Sequence, residues 1–161
     1  MRDYEECRPY VDHMLAEHRR LHQLLCSMRA GIEQSAGRDC QELFTEVAQC
    51  LKLLREELSR HFAEEEGGGC LDEAVSRCPR LSGAQRSIEA EHPLILERVD
   101  RLIDEATKLP PNLGNQIAVK DAFNELYVQL CLHERAENAL LQEGFGANFN
   151  GSGMNAAPLS Q

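Results

Sequence analysis

Two short segments of the sequence place a histidine four residues before a glutamate. HFAEEE contains His61 and Glu65, and HERAEN contains His133 and Glu137. Because side chains four residues apart lie on the same face of a helix, both members of each pair can reach one point. Imidazole nitrogens and carboxylate oxygens are ligands for transition metals. Each segment is therefore a candidate for half of a metal site.

Two further histidines, His18 and His92, continue the apolar stripes of two other predicted helices. His18 precedes His61 by 43 residues and His92 precedes His133 by 41, so each half of the chain supplies the pattern H…HxxxE. A histidine on an apolar face is often a hydrogen-bonded core residue, and that interpretation is the alternative here. Burying glutamates on the same faces is costly unless something pairs with their charge, which favours a metal.

Four long amphipathic segments carry these residues. Apolar side chains recur in each at a spacing of three and four residues, and the segments SAGRD, GGG and LPPNLG interrupt the pattern. The pattern predicts helices at about 9–32, 39–66, 82–108 and 115–143. Few β-branched runs and no alternating stretches occur. The predicted fold class is all-α, an antiparallel up-down-up-down four-helix bundle.

The positions of the histidines along these helices place them near one end of the bundle. His18 and His92 lie about ten residues, roughly 15 Å, after the predicted starts of their helices. His61 and His133 lie near the ends of helices that run in the opposite direction. Four imidazoles and two carboxylates in one layer exceed the ligand set of a single tetrahedral zinc ion. They suggest two metal ions that share the carboxylates.

The remaining two histidines, His13 and His22, do not belong to the H…HxxxE pattern. His22, one turn after His18, also faces inward and is either a fifth histidine ligand or a core histidine beside the site. His13 lies off the apolar stripe, and we expect it at the surface.

Composition restricts the class of protein. The 161 residues are enough for one domain, which we place at 1–146, followed by a flexible tail at 147–161 that is rich in glycine, asparagine and serine. The formal net charge of -10 argues against nucleic acid or an anionic membrane as a partner. No signal peptide and no apolar run of about 18 residues is evident, so a cytoplasmic location is expected.

Seven cysteines occur, an odd number without a CxxC pair. This count favours reduced thiols over a disulfide framework or a zinc ribbon. Cys70 and Cys78 share a predicted loop, where they either oxidise together or are ordinary small apolar residues.

Four segments resemble helix signatures of the hemerythrin-like (HHE cation-binding) family: LAEHRRLHQLL, HFAEEE, EHPLILERV and HERAENALL. Together they cover nearly all of the chain except the tail. The resemblance implies a non-haem di-iron centre with an oxo or hydroxo bridge, in which Glu65 and Glu137 also bridge the irons. The terminal ligands that it implies are His18, His61, His92 and His133. The chain departs from the oxygen-carrying members at Leu96, where they have a further histidine.

A ferritin-like di-iron bundle is the nearest alternative fold. It needs two Glu-x-x-His motifs, and this chain has one, from Glu89 to His92. The expected function is binding or sensing of oxygen or a related diatomic, or of iron or redox state, with any protein partner unknown. One alternative is a di-iron enzyme or repair factor that acts on peroxide or nitric oxide or donates iron. Another is a structural bundle without metal. The sequence shows no obvious acid–base pair or substrate-pocket motif, which favours binding over catalysis.

Overall fold

The computed structural model describes residues 4–146, and the tail predicted at 147–161 lies outside them. The described residues form five α-helices and one 3-10 helix, without any strand. In chain order these are α1 (Tyr4–Glu33), α2 (Cys40–Glu66), α3 (Cys70–Arg77), the 3-10 helix (Pro79–Leu81), α4 (Ser82–Lys108) and α5 (Leu113–Phe145). The predicted all-α class is confirmed. Each helix in this part of the chain is too short or too polar to cross a membrane.

Capping residues fix the starts of two long helices. The carboxylate of Asp39 accepts a hydrogen bond from the backbone N–H of Gln41 at 2.6 Å, before α2. The side-chain oxygen of Asn112 accepts one from the backbone N–H of Asn115 at 2.9 Å, at the start of α5. These contacts satisfy amides that the first turn of a helix leaves unpaired. The predicted bounds of α2 and α4 agree with the structure within a residue or two.

The helices α1 and α5 extend beyond their predicted bounds. α1 begins at Tyr4 and contains Pro9, which the sequence pattern placed at its start. Cys7 is buried, so the turn before Pro9 packs against the rest of the protein and is stabilised as helix. α5 continues to Phe145, whose side chain is also buried.

The segment between α2 and α4 was predicted to be a loop, and that prediction is wrong. It contains α3, whose Leu71 and Ala74 are fully buried. α3 packs closely on α5, since a Cβ atom built on Gly144 would lie 2.5 Å from the Cβ atom of Ala74. The run of glycines after α2 correctly indicates the end of that helix. It does not indicate that the next eight-residue segment packs into the core as a helix.

Two apolar clusters fill the bundle on either side of a polar layer. The larger cluster lies among α1, α2, α4 and α5, and the smaller one joins α3 to the first turns of α1 and α4 and the last turns of α5. Along α4, for example, Ile88 belongs to the smaller cluster, Ile95 belongs to the larger one, and His92 lies between them. The buried histidines therefore occupy the boundary between the clusters, and α3 helps to close that end of the bundle.

Candidate metal centre

Six of the seven candidate ligands form the buried polar layer. α1 and α4 each contribute one histidine, and α2 and α5 each contribute a histidine and a glutamate. None of these side chains is more than 4% exposed. They are His18, His61, Glu65, His92, His133 and Glu137.

The six residues form two overlapping groups of four, in which one ligand atom per residue lies within 4.8 Å of the others. The first group is His18, His61, Glu65 and Glu137. The second group is Glu65, His92, His133 and Glu137. Because both carboxylates belong to both groups, the layer has the form of two adjacent cation sites with two shared ligands.

The two oxygens of Glu65 face different groups. Its Oε1 atom lies 3.2 Å from Nε2 of His61, and its Oε2 atom lies 3.4 Å from Nε2 of His92. This carboxylate therefore spans the two groups and is not directed into one of them.

Glu137, on α5, spans the two groups in the same way. Its Oε1 atom lies 2.7 Å from Nε2 of His133, and its Oε2 atom lies 3.1 Å from Nε2 of His18. In the first group, Nε2 of His18 also lies 3.1 Å from Nε2 of His61. All four histidines thus direct Nε2 towards the shared carboxylates.

Several atoms of this layer have no hydrogen-bond partner. They include both carboxylate oxygens of Glu65 and Glu137 and the Nε2 atoms of His92 and His133. The nitrogens approach the oxygens without the alignment that a hydrogen bond needs. Buried polar atoms without partners are energetically costly, and metal ions bound between them would satisfy all of these atoms at once. The residues therefore fit a metal with nitrogen and oxygen ligands.

The charges of the layer also favour protonation of its imidazoles. Burial lowers the pKa of His18, but Glu137 and Glu65 outweigh burial and raise this pKa to about 10. The pKa of His133 is likewise raised to about 9, chiefly by Glu137 acting against burial. Burial raises the pKa of Glu65, but the neighbouring imidazoles outweigh it and hold this pKa well below its usual range. Protonated imidazoles thus neutralise the carboxylates when no metal is bound, and metal binding must displace those protons.

Two glutamates that were not predicted from the sequence contact histidines of the layer from outside it. The Nδ1 atom of His61 lies 3.1 Å from Oε2 of Glu17, and the Nδ1 atom of His133 lies 2.8 Å from Oε2 of Glu91. In each case the glutamate belongs to the preceding long helix of the same half of the chain. A carboxylate on the outer nitrogen of a ligating histidine fixes the ring and makes it a stronger ligand. The signal in the sequence is a Glu–His dipeptide in both α1 and α4.

The residue after each shared glutamate breaks the two-fold pattern. Glu66, in α2, places its Oε1 atom 2.7 Å from Nδ1 of His92. The corresponding residue in α5 is Asn138, whose Oδ1 atom is buried without a hydrogen-bond partner, as is the Nδ1 atom of His18. Both histidines of the second group therefore have a carboxylate at Nδ1, which we call an outer carboxylate, whereas in the first group only His61 has one.

A third buried carboxylate, Glu134, follows His133 in the sequence and was also missed. Burial raises its pKa to about 7, and it interacts electrostatically with His18, Glu137, His61 and His133. It adds a further acidic group beside the layer.

The two groups differ in their surroundings. The ring of Phe62 stacks on His92 with centroids 4.0 Å apart, and it contacts His133 edge-on at 5.4 Å. Phe62 therefore shields the second group. A partly open cavity of about 60 Å³ is lined by His61 and Glu65, so the first group is the one that this cavity reaches.

The structure does not bring His22 into either group. Its Nε2 atom lies 3.4 Å from Sγ of Cys26, and its ring lies 6.3 Å from the ring of Tyr127. Leu96 packs against the larger apolar cluster, also away from the shared carboxylates. His13 is exposed, as expected from its place off the stripe.

All seven cysteines are free thiols. Cys70 is buried at the start of α3, and burial raises its pKa to about 12. Cys78 is half-buried at the end of the same helix. The pair thus occupies the two ends of α3, where a shared loop had been predicted.

Comparisons with known protein families, with curated proteins and with solved structures find no match to this chain. The fold and the site by themselves define an all-helical bundle with a buried histidine and glutamate cluster that can hold a metal. The chemistry of this cluster is therefore the feature that indicates a function.

A change of charge at Glu91 tests the outer carboxylates. Glu91→Gln retains the size of the side chain but removes the negative charge facing His133, so we expect metal affinity to fall roughly tenfold or more. A competition titration of metal-free protein with Co²⁺ and a chelator measures this. Glu97→Gln, at an exposed position of the same helix, is the matched control and should leave the affinity unchanged. Equal affinities for both variants would show that Glu91 does not support the ligand.

Proposed function

We propose that this chain is a hemerythrin-like, non-haem di-iron protein that binds or senses oxygen or a related diatomic. The observation that carries the proposal is the sharing of Glu65 and Glu137 by two groups of buried donors. A single tetrahedral ion uses four protein ligands and would leave part of this layer unsatisfied. Nitrogen and oxygen donors in this number suit two six-coordinate ions such as iron.

An antiparallel up-down-up-down order of the long helices is part of this proposal. Along α1 and α4, the chain passes from the smaller apolar cluster through the histidine to the larger cluster. Along α5 the order is reversed, since Leu130 belongs to the larger cluster and Leu140 to the smaller one. In α2, every member of the larger cluster except Phe62 precedes His61. This alternation supports neighbouring helices that run in opposite directions and bring their histidines to one level.

The iron pair would supply the electrons exchanged with a diatomic, and the protein would control access to it. Apolar clusters lie on both sides of the layer and limit the access of water to it. Phe62 covers the second group, and the cavity beside the first group offers a route for a small molecule. Glu17 and Glu91 hold the rings of His61 and His133 in position for coordination.

The position of His22 favours a second candidate function, a di-iron enzyme or repair factor that acts on peroxide or nitric oxide or donates iron. Two six-coordinate ions offer about twelve positions, of which two bridging carboxylates, four histidines and a bridging oxide or hydroxide fill about ten. With His22 outside both groups, about two positions remain open. Such open positions favour oxidation of the centre over stable, reversible binding.

Iron analysis combined with absorption spectra tests both candidates. Protein purified under iron-replete conditions should contain about two irons per chain. Reversible binding predicts that oxygen changes the spectrum of the reduced protein and that vacuum restores it, whereas the second candidate predicts lasting oxidation. His22→Leu should give the same spectra and oxidation rate as the wild type, because His22 lies outside both groups. A single zinc ion without iron would contradict the di-iron proposal.

A further inference from the structure

We propose that His13, Glu17 and Glu64 form an outer cation site through which a divalent metal ion reaches the first group. This inference rests on the proposed function, since it concerns how the metal centre is loaded. The three residues lie on α1 and α2, at the cavity that also touches His61 and Glu65.

The three side chains offer one imidazole and two carboxylates at short range. The Nε2 atom of His13 lies 3.1 Å from Oε2 of Glu64 and 3.8 Å from Oε1 of Glu17. One ligand atom from each residue lies within 4.8 Å of the others. A mixed nitrogen and oxygen set of this kind binds Fe²⁺, Mn²⁺ and Co²⁺.

Two of the three side chains are exposed to solvent, and the third is buried. The side chains of His13 and Glu64 are 62% and 47% exposed, whereas that of Glu17 is 7% exposed. A hydrated ion can therefore meet His13 and Glu64 first and encounter Glu17 as it loses water. The formal net charge of -10 favours the approach of cations to this surface.

The cavity connects this cluster with the candidate metal centre. Its volume of about 60 Å³ is sufficient for an ion with part of its water shell, since one water occupies roughly 10–15 Å³ by the same measure. Glu65 also lines the cavity, is only 4% exposed, and has two carboxylate oxygens without hydrogen-bond partners. An unsatisfied buried carboxylate at the cavity provides a binding partner for a cation that passes the outer cluster.

Glu17 belongs to both sites. Its Oε1 atom faces His13, while its Oε2 atom lies 3.1 Å from Nδ1 of His61, a ligand of the first group. The outer cluster and the first group are therefore joined by a single side chain, without an intervening apolar residue.

Two arginines keep the outer cluster weak. The Nη2 atoms of Arg20 and Arg60 lie 3.2 and 3.6 Å from Oε1 of Glu17 and compete with a cation for it. Their side chains are 59% and 49% exposed, so each can move into solvent when an ion arrives. A transfer site must bind its ion less tightly than the buried centre does, and competition from the two arginines lowers the affinity of the outer cluster.

Stopped-flow loading of the metal-free full-length protein with Co²⁺ tests the proposal. Glu64→Gln and His13→Gln should slow uptake about tenfold or more, while the final content remains two ions per chain. Glu56→Gln is the matched control, because it removes the same charge from an exposed position of α2 away from the cavity. It should slow uptake no more than about twofold.

A second measurement detects the outer site itself. Protein already loaded with two ions should bind one further Mn²⁺ weakly in an electron paramagnetic resonance titration, and Glu64→Gln should abolish this binding. If Glu64→Gln loads as fast as Glu56→Gln and retains the additional Mn²⁺, the loading site is overturned. If the wild type takes up no metal at the centre, the proposed function fails as well, and this result distinguishes the two failures.

Discussion

Glu137→Ala should lose most of the iron that the wild type binds. Glu137 is fully buried and places its two oxygens near His133 and His18, so its removal takes a shared ligand from both groups. Metal that binds only the folded state adds stability of about 2.7 kcal/mol when the free metal is 100 times its dissociation constant. The variant should therefore melt roughly 5–10 °C below the metal-loaded wild type. Metal analysis and thermal unfolding in the presence of excess Fe²⁺ measure both effects.

The matched control is Glu125→Ala, because Glu125 lies on the same helix with a side chain that is 72% exposed. It should retain about two irons and the melting temperature of the wild type. Metal-free samples of all three proteins separate loss of metal from loss of packing. Retention of two irons by Glu137→Ala would contradict a shared role for this carboxylate.

The metal-free protein should lose stability as the pH rises from 6.5 to 10. His18 and His133 have pKa values of about 10 and about 9 in the folded protein, against an ordinary value of 6.5. A raised folded-state pKa gives stability that is complete below pH 6.5 and is lost as the pH rises through the folded-state values. One pKa unit corresponds to about 1.4 kcal/mol, so we expect the melting temperature to fall by roughly 5 °C or more.

The metal-loaded protein is the first control for this pH effect. Its imidazoles coordinate metal and carry no such protons, so the stabilisation by metal should increase with pH over the same range. Glu137→Gln is the second control, because removing this charge lowers the pKa of both His18 and His133 and should flatten the pH dependence of the metal-free protein. If the melting temperatures of the metal-free and the metal-loaded protein changed with pH in the same way, these imidazoles would not be protonated near neutral pH.

Local periodicity was enough to predict the long helices and the burial of the six candidate ligands. A helix repeats every 3.6 residues, so a histidine that continues an apolar stripe is directed inward wherever the helix packs. The pairs His61 with Glu65 and His133 with Glu137 are a direct result of this repeat. The buried positions of His18 and His92 follow for the same reason.

The same rule was insufficient for His22. It lies one turn after His18 on the same face, but four residues along a helix correspond to a rise of about 6 Å. That displacement takes it away from the shared carboxylates, and its side chain contacts Cys26 and Tyr127 instead. Periodicity predicts which face of a helix a residue lies on. Its height along the bundle relative to other residues depends on the register of the neighbouring helices.

The sequence by itself determined the helical class, the inward faces and the types of candidate ligand, because these depend on residues a few positions apart. The tertiary structure alone decided that Glu17 and Glu91 contact the Nδ1 atoms of His61 and His133, since those partners lie 44 and 42 residues away. It also decided that the segment after α2 folds as α3, because the burial of Leu71 requires the surface of a distant helix. Contacts of this kind depend on the distances and registers between packed helices, and no pattern within one helix specifies them.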